Sequence, residues 1–477
     1  MIEATNIQGI PRPVLLRKNN SRNFVFWVLI GLAHLPLGVL VYSAGPLAIL
    51  HPIAVFLIGI YWAVNKRYRM ERVSFAIAYL VGAEVLWRMA QVPVFWEFGK
   101  YGGAAIAITA LATRGFLTIP KLPVAYLAVL IPASIITLTE KDLSSAQAIL
   151  STQLSGPFFL VAACWFFSYC KFNEFTLRQL LFSVMVPLFS VAFATLFFAV
   201  STEDIQFNGE SNFATSGGFG PNQVSAMLGL GAFVAIACLL VFQNASKYKV
   251  YLMAAAVLFA AQSVLTFSRG GIYNALGGVI AISLVGLQLP SVAARRVVPV
   301  IGLAVLFLAL VFPVLDNFTG GTLKERFEDI GTTNRAEIAE SDVQLFWENP
   351  LLGVGVGSSY AMREELLDHK AMTHTEFSRL LSEHGMFGVM ALLLLVCILV
   401  FCFMKQRTVL GRAFVAGAAV WSCLFMTNAA MRLAAPSFLL GLTYSIISIS
   451  EQSPRKSRSK TLGPAPIADR DDRSLLI

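Results

Sequence analysis

The chain has 477 residues, of which 57% are hydrophobic and 13% charged, whereas soluble domains carry about 25% charged residues. With a mean hydropathy of +0.70, 37 Phe and only 5 His, it holds more apolar surface than one soluble core can hide. The net charge of +9 does not point to nucleic acid, because the basic residues sit in short clusters between apolar runs and form no stripe with interleaved aromatics.

Residues 1–23 carry Arg12, Arg17, Lys18 and Arg22 ahead of an apolar run from Phe24 to Ala44. That run is long enough to span and a second follows at once, so it reads as a first helix and not as a cleaved signal. Further runs predict spans near 46–64, 73–90, 102–119, 122–139, 157–170, 180–200, 222–242, 250–268, 271–289, 297–315, 386–404, 413–430 and 433–450. The expected fold is an all-α, polytopic membrane helical bundle of about fourteen transmembrane helices, eleven in 24–315 and three in 386–450. One large, partly helical loop, 316–385, separates the two groups.

Alternating these spans from a cytoplasmic N-terminus places 25 of the 36 Lys and Arg on or at the cytoplasmic side. This is the distribution that the positive-inside rule requires. It puts both termini in the cytoplasm, with 451–477 a disordered polar tail, and the large loop on the far side of the membrane. The six cysteines, Cys164, Cys170, Cys238, Cys397, Cys402 and Cys423, lie in apolar spans or at their ends and form no metal-type pair.

The loop has 70 residues with six Lys or Arg, thirteen Asp or Glu and three of the five histidines, and a loop of that length is usually functional. Asn334 and Glu337 have the spacing of a helix start, and Asn349-Pro350 should stop that helix. The run Gly353-Val354-Gly355-Val356-Gly357 lacks the strand context and the Lys-Ser/Thr of a nucleotide loop, so it reads as a turn that lets backbone approach another surface. Thr373 and Glu376 have capping-box spacing for a second helix ending at Gly385. His374 then falls in the first turn, where the helix dipole favours a neutral imidazole able to accept a proton. A surface histidine making a capping contact is the plainer alternative.

Arg269, in Ser268-Arg269-Gly270-Gly271, sits between two spans with almost no loop. An arginine at the edge of hydrocarbon is costly unless paired or used. It either snorkels to lipid headgroups or binds a phosphate bidentately. Arg88, Lys100 and Arg432 lie on the same predicted side. Asp469-Arg470-Asp471 has the spacing of a metal-binding DxD motif but falls in the cytoplasmic tail, where it reads as solvated charge.

Together these features resemble the O-antigen ligase and Wzy-type polysaccharide polymerase superfamily. The resemblance rests on Ser268-Arg269-Gly270-Gly271, then one span, then a long external loop. That loop carries Arg335, Trp347, Asn349-Pro350, Gly353-Val354-Gly355, His374-Thr375-Glu376-Phe377 and Glu383-His384-Gly385. Gly220-Pro221-Asn222 is similar to the family as well.

The resemblance implies a glycosyltransferase acting at the periplasmic face on a glycan carried by undecaprenyl diphosphate, with no metal, nucleotide sugar or other cofactor. Its loop histidine matches His374 and its arginines match Arg269 and Arg335, which are the expected catalytic residues. Arg269, Arg335, Arg88 and Glu376 are the expected substrate-binding residues. His374-Thr375 stands where members often have His-Asn.

Expected partners are the lipid-linked glycan, an acceptor glycan or lipid A core, membrane lipids and other polysaccharide export proteins. The reading favours an exopolysaccharide or O-antigen polymerase over a ligase to lipid A core or protein. A lipid-linked glycan flippase or transporter ranks behind both, because Glu84, Arg88, Arg269 and Arg432 fall near span ends rather than at mid-membrane.

Overall fold

The computed structural model describes residues 12–202, 205–207, 210–242, 248–289, 296–329, 331, 335–367 and 375–449. The helices are α1 (Arg12–Ser43), α2 (Leu50–Val64), α3 (Met70–Met89), α4 (Phe98–Arg114), α5 (Lys121–Ala128), α6 (Ile131–Glu140), α7 (Leu143–Gln153), α8 (Ser155–Ser168), α9 (Glu174–Ser201) and α10 (Pro221–Val241). They continue with α11 (Lys249–Leu265), α12 (Gly270–Gly286), α13 (Val298–Leu306), α14 (Phe312–Phe318), α15 (Thr322–Glu328), α16 (Arg335–Glu348), α17 (Ser359–Leu367), α18 (Glu376–Lys405), α19 (Val409–Ala429) and α20 (Ala434–Thr443).

Each predicted apolar run is met by a helix or a bent pair. Among the described residues, eight helical spans are long and apolar enough to cross a membrane, or nine if the pair α7–α8, bent by 46°, counts as one. The remaining apolar helices are shorter or carry charge, so the expected fourteen exceeds what length and composition establish. Outer helices leave Leu29, Leu40, Leu57, Leu308, Leu393 and Val400 exposed, a lipid-facing shell that a soluble monomer would not present. At the centre stand α9 and α10, whose apolar windows are 83% and 89% buried. The protein is thus an all-α polytopic membrane bundle.

One end of the bundle is basic. Arg114 donates to the carbonyls of Ala63 and Tyr68, both at 2.7 Å. Arg296 does the same to Leu240 and Val241 at 2.9 Å, and Lys405 to Tyr444 at 2.7 Å. Apart from that of Tyr68, which lies in the turn between α2 and α3, these carbonyls are at helix C-termini, where the dipole also favours cations. A short parallel pair, β1 (Lys171–Asn173) with β2 (Ile446–Ser448), closes this end. The strand β2 and the turn before it occupy the last residues of the run predicted as a span over 433–450.

From this end α3 runs about 30 Å, at 1.5 Å per residue, to Arg88 at the other. α10 and α18 start at that opposite end, at Pro221 and Glu376, and finish at the basic one. The large loop packs over the Arg88 end through α15, α16 and α17.

The glycine run of the loop does approach another backbone. Val354 N–H donates to Ser382 O at 2.9 Å, Gly355 N–H to Glu383 O at 3.2 Å, and Met386 N–H to Pro350 O at 2.8 Å. α18 breaks at Gly385 (φ 56°, ψ −133°) to receive it. A Cβ on Gly353 would lie 2.4 Å from the Glu383 carbonyl carbon, and one on Gly385 2.6 Å from Gly353 N. Side chains are excluded at both positions.

Candidate functional site

At the loop end lie two neighbouring cavities. The first, about 320 Å³, is lined by Asn222, Ser268, Arg269, Gly270, Tyr273, Arg326, Phe327, Asp329, Gly331, Arg335 and Asn428. Arg269 is the residue before the first turn of α12. The turn that presents it contains Phe267 in the left-handed region (φ 57°), which costs on the order of 1–3 kcal/mol for a non-glycine residue. Several contacts hold the turn. Ser225 Oγ donates to Ser268 O at 2.8 Å, Ser268 Oγ donates to Asn222 Oδ1 at 2.8 Å, and Arg326 Nε donates to Phe267 O at 3.2 Å. Phe207 stacks on the Phe267 ring at 5.5 Å.

Arg269 reaches across to the loop, donating to the Asp329 carbonyl and, at 2.7 Å, to Gly331 O. Arg335 opens α16 and donates to Asn428 Oδ1 at 2.8 Å and to Asn222 Oδ1 at 3.5 Å. Arg326 is buried, with Asp329 Oδ2 at 3.7 Å. Burial, then the neighbouring Arg269, pulls the Arg326 and Arg335 guanidinium pKa values below the usual arginine range; Arg326 adds to the effect on Arg335. Three like charges thus share one cavity, with the Asp329 carboxylate in its lining and Glu210 also near Arg326. The N-termini of α12 and α16 add positive partial charge. Such a place favours a multiply charged anion.

The second cavity, about 360 Å³, is lined by residues that include Arg88, Trp96, Glu97, Lys100, Gln223, Tyr360, Glu376, Arg379, Glu383 and Arg432. Its walls are ion pairs. Arg88 donates to Glu84 Oε1 at 2.7 Å and to Gln223 Oε1 at 3.2 Å, and its guanidinium lies 4.7 Å from the Trp96 ring centre. Lys100 sits 2.5 Å from Glu97 and 2.9 Å from Ser155 Oγ. Arg379 bridges Glu376 at 2.5 Å and Glu383 at 2.8 Å. Below them Asp342, fully buried, accepts from Arg363, from Ser378 at 2.6 Å and from Ser382 at 3.1 Å, tying α16, α17 and α18 together.

The cavities are joined by consecutive residues. Asn222 faces the first and Gln223 the second, both in the first turn of α10; Asn428 and Arg432 repeat the division at the end of α19.

Of the residues expected from sequence, Arg269 and Arg335 line the first cavity, and Arg88 and Glu376 the second, beside Lys100 and Arg432. The Glu376 carboxylate is engaged with Arg379 and with Met431 N–H at 3.3 Å. His374 lies outside the described residues, as do Asn334, His369, Thr373 and the 451–477 tail. The helix expected to start at Thr373 begins instead at Glu376, with Thr375 as its cap, because the Thr375 hydroxyl accepts the Phe377 N–H at 3.3 Å. His374 therefore precedes the cap in sequence and is not a first-turn residue of α18.

Arg326, Asn428 and Arg379 were not singled out by sequence. Arg379 had a signal: it stands three residues after Glu376 and four before Glu383, the spacing of helical ion pairs. Arg326 and Asn428 had none, since their role arises from contacts across more than 50 residues of chain.

The structure thus places a cationic cavity at one end of a membrane bundle, beside the long loop. Residues 254–393, from α11 into α18, match the family model described as O-antigen ligase. This stretch contains Arg269, Arg326, Arg335, Glu376, Arg379 and Glu383, and it supports the resemblance to the O-antigen ligase and Wzy-type superfamily drawn from the motifs. The match supports an activity of the O-antigen ligase or polymerase type, that is, a glycosyltransferase-like enzyme. No curated protein matches the chain.

Proposed function

We propose that this protein transfers a glycan from undecaprenyl diphosphate to an acceptor hydroxyl at the periplasmic face of the inner membrane. The observation that carries this reading is the convergence of Arg269, Arg326 and Arg335 in one cavity at the N-termini of α12 and α16. A diphosphate leaving group carries two or more negative charges, and fixed guanidinium groups stabilise that charge as it develops. The carbonyl oxygens that Arg269 now holds are weak neutral acceptors that a phosphate oxygen would outcompete.

The acceptor occupies the neighbouring cavity, where Trp96, Tyr360 and the mixed charges suit a polar sugar ring. His374, two residues ahead of Glu376 in the chain, takes the proton from the attacking hydroxyl. The acceptor oxygen bonds to the anomeric carbon, the bond from that carbon to the diphosphate oxygen breaks, and undecaprenyl diphosphate leaves with the electron pair. A single in-line displacement inverts the anomeric carbon. The basic end of the bundle then faces the cytoplasm with both termini.

We favour a polymerase that extends an exopolysaccharide or O-antigen chain, working beside export proteins. The ligase reading, with lipid A core or a protein as acceptor, uses the same chemistry and takes support from the description of the matching family model.

A deletion strain complemented with wild type, Arg269→Ala or His374→Ala, followed by sizing of surface glycans, tests the proposal. Loss of chains longer than one repeat marks a polymerase. Full-length chains stranded on the lipid carrier mark a ligase. Full complementation by both variants removes the proposal.

A further inference from the structure

Between α19 and α20 the chain runs through a non-helical strap, residues 430–433, at the loop end of the bundle. Ala430 takes φ 50° and ψ −150°, a region that a residue with a side chain enters only at a cost in free energy. Irregular backbone in a membrane bundle persists where it is buried in protein or lines a cavity. Here it lines one: Ala430, Met431 and Arg432 form part of the wall of the second cavity. Asn428, just ahead of the strap, holds Arg335 in the first.

Charged side chains from three other helices hold the backbone of the strap. Met431 N–H donates to Glu376 Oε2 at 3.3 Å, and Lys100 Nζ donates to Met431 O at 3.0 Å. Arg88 Nη2 donates to Arg432 O at 3.1 Å, and Ala434 N–H donates to Glu84 Oε2 at 2.7 Å. All four side chains are buried. The cations take carbonyls just past the C-terminus of α19, and Glu84 takes the N–H that opens α20, as the helix dipoles favour. The cap residue of α20 is Leu433, which makes no side-chain capping bond. Glu84 supplies from α3 the acceptor that this cap lacks.

The same carboxylate also fixes Arg88. Glu84 Oε1 accepts from Arg88 Nη2 at 2.7 Å, and that guanidinium donates to Gln223 and lies against the Trp96 ring. The seat for the carboxylate is cut into α4, since a Cβ on Gly99 would lie 2.5 Å from Glu84 Cδ. Among the described residues that line the second cavity, Glu84 is absent. It stands behind Arg88, beside a smaller space of about 240 Å³.

We infer that Glu84 is a positioning residue for the acceptor: through Arg88 and the 430–433 strap it sets the two arginines, Arg88 and Arg432, that line the second cavity. The inference rests on the transferase reading, with the acceptor in that cavity, and adds to it a residue that acts without touching substrate. The first cavity is held by other contacts. Arg269 is fixed by loop carbonyls, and Asn428 by Asn274 and its own helix. Disturbing Glu84 should therefore reach the acceptor and spare the donor.

The test uses purified full-length protein in detergent, with the cell's own lipid-linked glycan as donor. The acceptor probe is an oligosaccharide released from the cell's surface glycan or its lipid A core, whichever wild type uses. Glu84→Gln should raise the acceptor KM by about tenfold, the scale for loss of a charged hydrogen bond, and leave affinity for undecaprenyl diphosphate within about twofold. Gly99→Ala keeps every charge and adds a good helix former. It should raise the acceptor KM in the same way, by crowding the carboxylate out of its seat, and it carries the comparison alone should Glu84→Gln fold poorly. Glu71→Gln, in the first turn of α3 at the basic end, should change neither quantity.

An unchanged acceptor KM in the Glu84 and Gly99 variants, or equal damage to acceptor KM and donor affinity, would overturn the positioning role and leave the transferase reading standing. Wild type that transfers to neither acceptor and binds undecaprenyl diphosphate no better than Arg269→Ala would remove the transferase reading, and this role with it.

Discussion

Arg269 holds the carbonyl of Gly331 at 2.7 Å, across 62 positions of the chain. A guanidinium at a helix start thereby anchors the loop leading to Arg335, and its partners are neutral carbonyl oxygens that a charged ligand can replace. The same side chain can tie down the loop and receive a phosphate. We expect Arg269→Ala to lower transfer by about 10²–10³-fold, the scale for removing one donor that stabilises developing charge. Arg269→Lys should not restore it, because an ammonium cannot present the planar fork that serves two oxygens. Initial rates with a lipid-linked donor decide this.

Asn222 accepts from Ser268 on one side and from Arg335 on the other, and Asn428 takes the other arm of Arg335. Asn222→Ala should free both the turn before Arg269 and the Arg335 guanidinium. We expect transfer to fall about tenfold, in line with the loss of a charged hydrogen bond worth roughly 1.5–3 kcal/mol. Asn222→Asp should weaken diphosphate binding further, since it places a carboxylate in a cavity built to receive an anion. Binding constants for undecaprenyl diphosphate separate the two effects.

Arg379 lies between Glu376 and Glu383, all three buried. Arg379→Ala would leave two buried carboxylates without their cation, a change that typically costs about 3–5 kcal/mol. The expected readout is a lowered melting temperature in detergent and loss of order at the start of α18. Glu376→Gln keeps the shape and one acceptor oxygen, and should cost less than Arg379→Ala.

Gly353 and Gly385 face each other with positive φ and no room for a side chain. Gly385→Ala should destabilise the protein by about 1–3 kcal/mol and displace the loop from the helix it caps. Limited proteolysis of the loop should then speed up relative to wild type.

The bundle was legible because hydropathy is a long-range average: each predicted apolar run is met by a helix or a bent helix pair. Arg269 and Arg335 stood out because charge beside an apolar span and charge at a helix start are local signals. The helix start at Thr375 was missed by two residues, since Thr373 and Thr375 both offer a capping hydroxyl and only geometry chooses between them. Arg326 and Asn428 were not legible at all. Their meaning comes from the Phe267 carbonyl and the Arg335 guanidinium, partners that no spacing in the sequence reveals. The division into two cavities is of the same kind, set by the opposite facing of Asn222 and Gln223.

On the proposed mechanism the arginine cavity binds the carrier diphosphate while His374 activates the acceptor. Single-turnover transfer by purified protein, with donor binding measured in the same samples, tests it most directly. The account predicts that Arg269→Ala loses donor binding, whereas His374→Ala binds donor as wild type does and transfers about 10²–10⁴-fold more slowly. Wild-type transfer rates in His374→Ala, or unchanged donor affinity in Arg269→Ala, would contradict it.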